Sequence, residues 1–207
     1  MSIVIRDLAM ETHRNDTGST LGMWLFLLSE ILLFGGLFIL YSVYRYNHSQ
    51  IFHLAAEALN RPLGALNTLI LLTSSLTMAL SIFFLKNRRS ERSLLFLFLT
   101  IFLGLFFLFN KYFEWASKVH HGVYPNAPGL LERERGEVLF YGLYYSMTGL
   151  HGFHVLVGIG LLSVMFVFIL RGKIDHERIL PLKNTGLYWH LVDIIWIFLF
   201  PLFYLIT

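Results

Sequence analysis

The stretch VLFYGLYYSMTGLHGFHVLVGIGLLSVMFVFIL, residues 138–170, contains no Asp, Glu, Lys or Arg. A helix that crosses the hydrocarbon core of a bilayer needs about 20 mostly apolar residues. With Glu137 the stretch has 34 residues, and a helix of that length is roughly 50 Å long, which exceeds one bilayer core. We therefore expect a membrane-spanning helix over about 137–170 that tilts or protrudes into water.

Outward from this helix, four further stretches are long and apolar enough to cross a bilayer: residues 21–44, 64–85, 94–113 and 187–206. The whole chain agrees, because 56% of its 207 residues are hydrophobic and 14% are charged, whereas soluble domains carry about 25% charged residues. The sequence therefore predicts an all-α integral membrane bundle of five transmembrane helices. Residues 1–20 are expected to form a polar tail, and residues 21–207 a single transmembrane domain.

The amino-acid composition excludes several classes of protein. The chain has no cysteine, which rules out disulfides, thiolate metal sites, iron–sulfur clusters and haem attached through cysteine. Its net charge of +3 is small, and the basic loops of a membrane protein account for such a surplus. We therefore expect a membrane environment and no nucleic-acid partner.

Lys and Arg are unequally distributed between the two sides of the predicted bundle. Five lie on the side of the C-terminus, and ten lie on the side of the N-terminus: Arg6, Arg14, Lys86, Arg88, Arg89, Arg92, Arg171, Lys173, Arg178 and Lys183. Cytoplasmic loops are the ones enriched in Lys and Arg. We expect the N-terminus in the cytoplasm, with residues 1–20 as a retained tail and not a cleaved signal, and the C-terminus outside.

Glu30 lies within the first predicted span, where an ionisable side chain is costly and usually faces protein. Two interpretations remain open. The carboxyl is either a neutral or paired group that holds helices together, or a group that handles protons or couples the chain to a partner subunit. Both place Glu30 on a protein-facing surface, and its depth alone makes His154 the expected partner.

Four more polar residues lie within the predicted fourth and fifth spans. His151 and His154 are three residues apart and share a helix face, so they cannot clamp a haem between them. We expect interhelix hydrogen bonds and no metal or haem ligation. His190 and Asp193 also share a face, and we expect an Asp–His pair at an interfacial helix start or, alternatively, a contact with a partner subunit or lipid headgroup. With Thr148, these residues form the expected polar packing network.

Charged and aromatic residues near the span ends are expected at the membrane surface. Lys111 and Glu114 are three residues apart at the outer end of the third span and predict an ion pair that snorkels to the interface. Aromatic residues near span ends usually anchor helices at the interface. Those expected as lipid or interface anchors are Trp24, Trp115, Trp189, Trp196, Tyr41, Tyr44, Tyr46, Tyr112, Tyr188 and Tyr204.

Five segments carry a resemblance to a known family. They are GMWLFLLSE at 22–30, NTLILLTSSLT at 67–77, KYFEW at 111–115, TGLHGFHV at 148–155 and WHLVDIIWIFLFPLFY at 189–204. Each alone is a weak signal, but they occur in order and cover all five predicted spans. Together they resemble subunit III of haem-copper terminal oxidases, the cytochrome c and quinol oxidase subunit 3 family, in its five-helix bacterial form.

This resemblance implies a function. Subunit III packs directly beside subunit I, which holds the haems and copper, in a complex that also contains subunit II. It carries no catalytic, cofactor-binding or metal-binding residues, binds phospholipid, and supports sustained turnover and proton uptake during reduction of oxygen to water. Glu30 matches the family's carbodiimide-reactive buried carboxylate. The implied location is the bacterial cytoplasmic membrane, and the two helices that the seven-helix mitochondrial form has in addition are missing.

Three other functions remain as alternatives. A subunit-III-like accessory protein of a nitric oxide reductase would carry the same motifs, and only the catalytic subunit that co-purifies separates the two. An independent proton channel or transporter using Glu30 and the histidines would usually show inverted repeats and broken helices, which the sequence lacks. A haem-b electron carrier would need histidines facing each other across the bundle.

Overall fold

The computed structural model describes the backbone of residues 2–205 and the side chains of residues 17–205. All regular elements in this range are helical, which confirms the expected all-α class. In chain order they are α1 Ser2–Asn47, α2 Ser49–Glu57, α3 Arg61–Lys86, α4 Ser90–His120, α5 Pro128–Leu131, α6 Arg135–Leu170, α7 Leu180–Phe200 and a π-helix at Pro201–Leu205.

Five helices are long and apolar enough to cross a membrane, as the sequence predicts. They comprise Thr17–Asn47, Arg61–Lys86, Ser90–His120, Arg135–Leu170 and Leu180–Leu205. The helices extend beyond the apolar stretches at most ends, because polar residues complete their terminal turns. The largest differences are at α1, whose backbone is helical from Ser2, and at α7, which begins at Leu180 and not near residue 187. The side of the membrane on which residues 1–20 lie stays a prediction.

Local sequence signals set the connections between helices. The Asn60 side chain accepts a hydrogen bond from the Leu63 amide at 3.1 Å and caps α3, with Pro62 in the first turn where its missing N–H costs nothing. Gly172 follows the end of α6 with a φ of 66°, a conformation that glycine adopts without strain. These signals mark the start of α3 and the end of α6.

The last span lies at the centre of the bundle and the first at its edge. Of the most apolar 18 residues in each, 56% are buried in the last span and 11% in the first. The last span packs against α3, α6 and α1, whereas α1 packs on α6 and α7 along one side. The polar side chains of α7 are therefore surrounded by protein, and most of α1 faces outward.

Trp189 lies in the core and not at the interface. A Cβ atom added at Gly104 or at Gly158 would lie 2.7 Å and 2.8 Å, respectively, from atoms of its indole ring, so these two glycines make the space that the ring fills. Its Nε1 donates to Ser74 Oγ at 3.0 Å. The prediction that Trp189 anchors a helix end is wrong, because α7 starts several residues earlier than the apolar stretch suggests.

Trp196 is buried in the same way. Its ring packs edge-on against Phe107 with centroids 4.8 Å apart, and its Nε1 donates to Thr68 Oγ1 at 3.1 Å. The anchor prediction is therefore wrong for Trp196, and also for three buried tyrosines, Tyr41, Tyr188 and Tyr204. Trp24 differs, since it is 57% exposed on α1, and its contact with lipid stays a prediction, as does that of the partly buried Trp115.

Candidate functional site

Glu30 and His154 meet inside the bundle. Glu30 Oε2 on α1 lies 2.9 Å from His154 Nε2 on α6, and their side chains are 14% and 11% exposed, respectively. The contact that depth alone predicts is present. It joins the peripheral first span to the centre of the bundle.

The hydrogen bonds of His154 determine how many protons this pair holds. Its Nδ1 lies 2.7 Å from the Leu150 carbonyl oxygen, which can only accept, so Nδ1 carries a hydrogen. The contact between Nε2 and Glu30 then needs one more proton, placed on either the imidazole or the carboxyl. Both placements give the pair a net charge of zero, which is the charge that a hydrocarbon environment tolerates best.

Aromatic side chains pack beside the pair. The Phe34 ring stands edge-on to His154 with centroids 5.4 Å apart, and the Tyr188 hydroxyl donates to the His154 carbonyl at 3.0 Å. Two other bonds hold α1 to the last span, from Asn184 Nδ2 to Ser19 Oγ at 3.2 Å and from the Tyr41 hydroxyl to the Leu202 carbonyl at 2.6 Å. Glu30 therefore lies between Ser19 and Tyr41, two other residues through which α1 is attached by hydrogen bonds.

Lys111 and Glu114 form an ion pair, but it is buried and does not snorkel. Nζ lies 2.9 Å from Glu114 Oε2, with the two side chains 8% and 3% exposed. Nζ also donates to the hydroxyls of Tyr144 and Tyr204, each at 3.1 Å. Both hydroxyls donate in turn to Glu114 Oε1, at 2.7 Å and 2.6 Å. The three-residue spacing of Lys111 and Glu114 predicts the ion pair. It does not predict that the pair is buried, because the two tyrosines that contact it lie on distant helices.

The π-helix brings Tyr204 to this cluster. Pro201 lacks a backbone N–H, which weakens the regular helical pattern, and the chain continues as a wider turn over Pro201–Leu205. Wider turns of this kind occur frequently at functional sites. Phe203 and Tyr204 are both buried.

The expected Asp193–His190 pair is not present. His190 Nδ1 contacts Ser75 Oγ on α3 at 2.6 Å. Neither carboxyl oxygen of Asp193 has a hydrogen-bond partner among residues 17–205, although the Ser75 hydroxyl lies nearby and interacts with the carboxyl. Because α7 begins at Leu180, Asp193 is about 20 Å along the helix. The predicted position at an interfacial helix start is therefore wrong.

His151 makes aromatic contacts where hydrogen bonds were expected. Its ring is fully buried, with centroids 5.1 Å from Trp196 and 5.6 Å from Phe107. Neither ring nitrogen has a hydrogen-bond partner in the described part of the chain. Thr148 Oγ1 donates within its own helix, to the Tyr144 carbonyl at 2.6 Å. The residues of the expected polar network therefore do not form one connected network. Of the two histidines on α6, His154 makes an interhelix hydrogen bond and His151 does not.

Small polar side chains pair across the hairpin of α3 and α4. Thr77 and Thr100 hydroxyls lie 2.8 Å apart, the Ser81 and Ser93 hydroxyls 3.0 Å apart, and Asn110 donates to Asn67 at 3.0 Å. The spacing of Ser74, Thr77 and Ser81 along one helix face was the available signal. In the part of the chain with described side chains, no three His, Asp or Glu groups converge as metal ligands do.

These spans, with polar side chains paired between them, define a polytopic α-helical membrane protein. The sequence profile of the family described as "Cytochrome c oxidase subunit III" matches residues 3–207. The chain therefore belongs to this family and is a subunit III of a haem-copper oxidase, part of a membrane complex with partner subunits.

Similar proteins from staphylococci carry a related name. A "Probable quinol oxidase subunit 3" of Staphylococcus haemolyticus is 29% identical over 195 residues, which is 94% of this chain and 92% of that protein. Proteins of the same name from Staphylococcus saprophyticus and Staphylococcus aureus strain USA300 are each 27% identical, covering 90% and 94% of this chain and 88% and 92% of their own lengths. The similarity extends over nearly the whole chain in each case.

Proposed function

We propose that this chain is the non-redox accessory subunit of a proton-pumping terminal oxidase, in which it stabilises subunit I and supports proton uptake. The observation that carries the proposal is the contact between Glu30 and His154, a pair that holds one shared proton inside the membrane. Electron transfer and oxygen reduction belong to the haems and copper of the partner subunits.

The proton shared by Glu30 and His154 helps to hold α1 against α6. Loss of the shared proton would leave a carboxylate facing the lone pair of Nε2, and gain of a second proton would leave a buried positive charge. Both states carry a net charge and are costly in hydrocarbon, and the deprotonated state also loses the hydrogen bond. Loss of the shared proton therefore weakens the attachment of α1 to α6.

A groove on the surface of the bundle supports a role in lipid binding. A groove of about 300 Å³ lies between α4 and α6 and is lined by Leu108, Lys111, Tyr112, Trp115, Thr148, Gly149, Gly152, Phe153 and Leu156. The three hydrogens of the Lys111 ammonium are all donated within the protein, to Glu114 and the two tyrosines. The groove can therefore accommodate a phospholipid acyl chain. Its Lys111 ammonium has no hydrogen left to donate to a headgroup.

Subunit I is the direct neighbour and subunit II is a further member of the complex, in the bacterial cytoplasmic membrane with the N-terminus in the cytoplasm. The names of the staphylococcal relatives favour quinol as the electron donor of the complex. A nitric oxide reductase complex is the alternative.

The test compares the intact complex with a complex carrying Glu30→Gln. Affinity purification through this chain in mild detergent should recover subunits I and II with their haems and copper, and the complex should consume oxygen with quinol. With Glu30→Gln the complex should assemble, take up protons more slowly and lose activity sooner during turnover. Glu57→Gln, on the exposed face of α2, is the matched control. Recovery of a nitric oxide reductase, or unchanged kinetics with Glu30→Gln, would contradict the proposal.

A further inference from the structure

The last span is open on one side. It packs against α6, α1 and α3. Phe198 lies towards α1, since its ring centroid is 6.0 Å from that of Phe38. His190 lies towards α3, since its Nδ1 is 2.6 Å from Ser75 Oγ. The 3.6-residue repeat of the helix places Ile194 between these two positions, and its side chain is 49% exposed. Among the described residues, the side of the last span between α1 and α3 is therefore uncovered.

His190 places a polar atom at this open side. Its ring is half-buried, and Nδ1 is occupied by the Ser75 hydroxyl. Nε2 has no hydrogen-bond partner among residues 17–205, and it is not enclosed by protein as the ring nitrogens of His151 are. In either tautomer of the neutral ring, Nε2 is a hydrogen-bond donor or acceptor. It therefore needs a polar partner that the described side chains do not supply.

The position of His190 along the helix restricts what that partner can be. The span runs from Leu180 to Leu205, so His190 is roughly 15 Å from one end and roughly 22 Å from the other. A bilayer core is about 30 Å thick, which places Nε2 near its middle. Acyl chains have no hydrogen-bonding atoms, and the core contains no water. A lipid therefore cannot pair with Nε2 at this depth, whereas a polar side chain on a membrane-spanning helix can.

We propose that a membrane-spanning helix of a partner subunit lies along the open side of the last span, with a hydroxyl, amide or carboxyl side chain bonded to His190 Nε2. Ile194 and Ile197 lie on the same face as His190 and are 49% and 42% exposed, so they supply apolar contact around this bond. The chain is part of a membrane complex with partner subunits. This docking site does not depend on the proposed role of the Glu30–His154 pair.

Photocrosslinking in the intact complex tests the proposal. A benzophenone amino acid replaces Ile194 in one variant and Leu105 of α4 in its control, two side chains that are 49% and 50% exposed. Phe107 packs against Trp196, which puts Leu105 and Ile194, each two residues earlier in its helix, at a similar depth. Illumination should attach the Ile194 variant to a partner subunit and the Leu105 variant to lipid, as mass spectrometry of the adducts shows. Adducts of the Ile194 variant with lipid alone would overturn the proposal.

A second comparison tests the hydrogen bond of His190. Both His190→Leu and Ser75→Ala remove the bond between α3 and the last span, but only His190→Leu removes Nε2. His190→Leu should therefore release this chain from the complex in detergent roughly two- to tenfold more readily than Ser75→Ala, which corresponds to one hydrogen bond. Equal release from the two variants contradicts the proposal.

If the benzophenone at position 194 prevents assembly, a high-resolution map of the unsubstituted complex decides. A polar side chain of a partner subunit 2.7–3.2 Å from His190 Nε2 supports the proposal. Acyl-chain density along Ile194 and Ile197, with no protein helix beside them, overturns it.

Discussion

Glu30 and His154 are separated by 124 residues in the chain and by 2.9 Å in the structure. Because His154 Nδ1 donates to the Leu150 carbonyl, the contact between Nε2 and the carboxyl holds a single proton. An electrically neutral pair of this kind can exist inside a membrane at low cost, whereas either group alone, if charged, cannot. The same bond connects the least buried span of the bundle to α6.

Two substitutions of Glu30 distinguish its hydrogen bond to His154 from its reactivity towards carbodiimide. Glu30→Gln keeps an amide that can donate to His154, so we expect the complex to assemble with nearly wild-type stability and to lose carbodiimide labelling of this chain. Glu30→Leu leaves His154 Nε2 unsatisfied and should cost about 1–3 kcal/mol. Mass spectrometry of labelled peptides and thermal dissociation of the complex are the measurements. Unchanged labelling of Glu30→Gln would show that another carboxyl reacts.

The buried Lys111–Glu114 pair should be far more sensitive to one substitution than to two. Lys111→Met leaves a buried carboxylate without its cation and should destabilise the chain by about 3–5 kcal/mol, whereas Lys111→Met with Glu114→Gln should restore much of that loss. Thermal dissociation of the complex measures both. The exposed Arg133–Glu137 pair is the control, since removing Arg133 should cost about 0–1 kcal/mol. Equal losses in the single and double variants would mean that the pair is not a unit.

Two glycines on α6 should respond differently to the same methyl group. A Cβ at Gly158 would lie 2.8 Å from the Trp189 ring, whereas one at Gly160 meets no atom within 4 Å. Gly158→Ala should therefore cost about 1–3 kcal/mol through overpacking, and Gly160→Ala should be neutral or slightly stabilising. The comparison uses the dissociation midpoint of the two variant complexes. A neutral Gly158→Ala would show that Trp189 can shift.

The isolated chain should bind no haem. When it is purified without its partner subunits and reconstituted into lipid, we expect no Soret absorbance after incubation with haem b and removal of the excess. The reason is that His154 is committed to Glu30 and Leu150, and His151 lies edge-on to Phe107 and against Trp196. A Soret band that disappears with His151→Leu or His154→Leu would instead support an electron-carrying role.

The absence of cysteine in the chain allows a clean test of its orientation. Single cysteines at Gln50 and Glu177 lie at opposite ends of the bundle, on α2 and in the connection between α6 and α7, and both positions are exposed. An impermeant thiol reagent added to intact cells should label Gln50→Cys and not Glu177→Cys, and broken cells should expose both. The reverse pattern in intact cells would place the N-terminus outside.

Much of this architecture could be predicted from the sequence. Long apolar stretches predict spans because transfer into hydrocarbon depends on each segment's own composition, and all five are present. The matched depths of Glu30 and His154 were enough to pair them, since two polar groups in hydrocarbon have few other partners.

The surroundings of the other polar groups could not be predicted from the sequence. The spacing of Lys111 and Glu114 indicates an ion pair, but whether the pair reaches water depends on Tyr144 and Tyr204 from distant segments. Trp189 and Asp193 resemble interfacial residues when α7 is measured by its apolar part, and they are central because polar residues extend the helix back to Leu180. Burial of a helix face depends on how neighbouring helices rotate and pack, and that packing is a property of the assembled bundle.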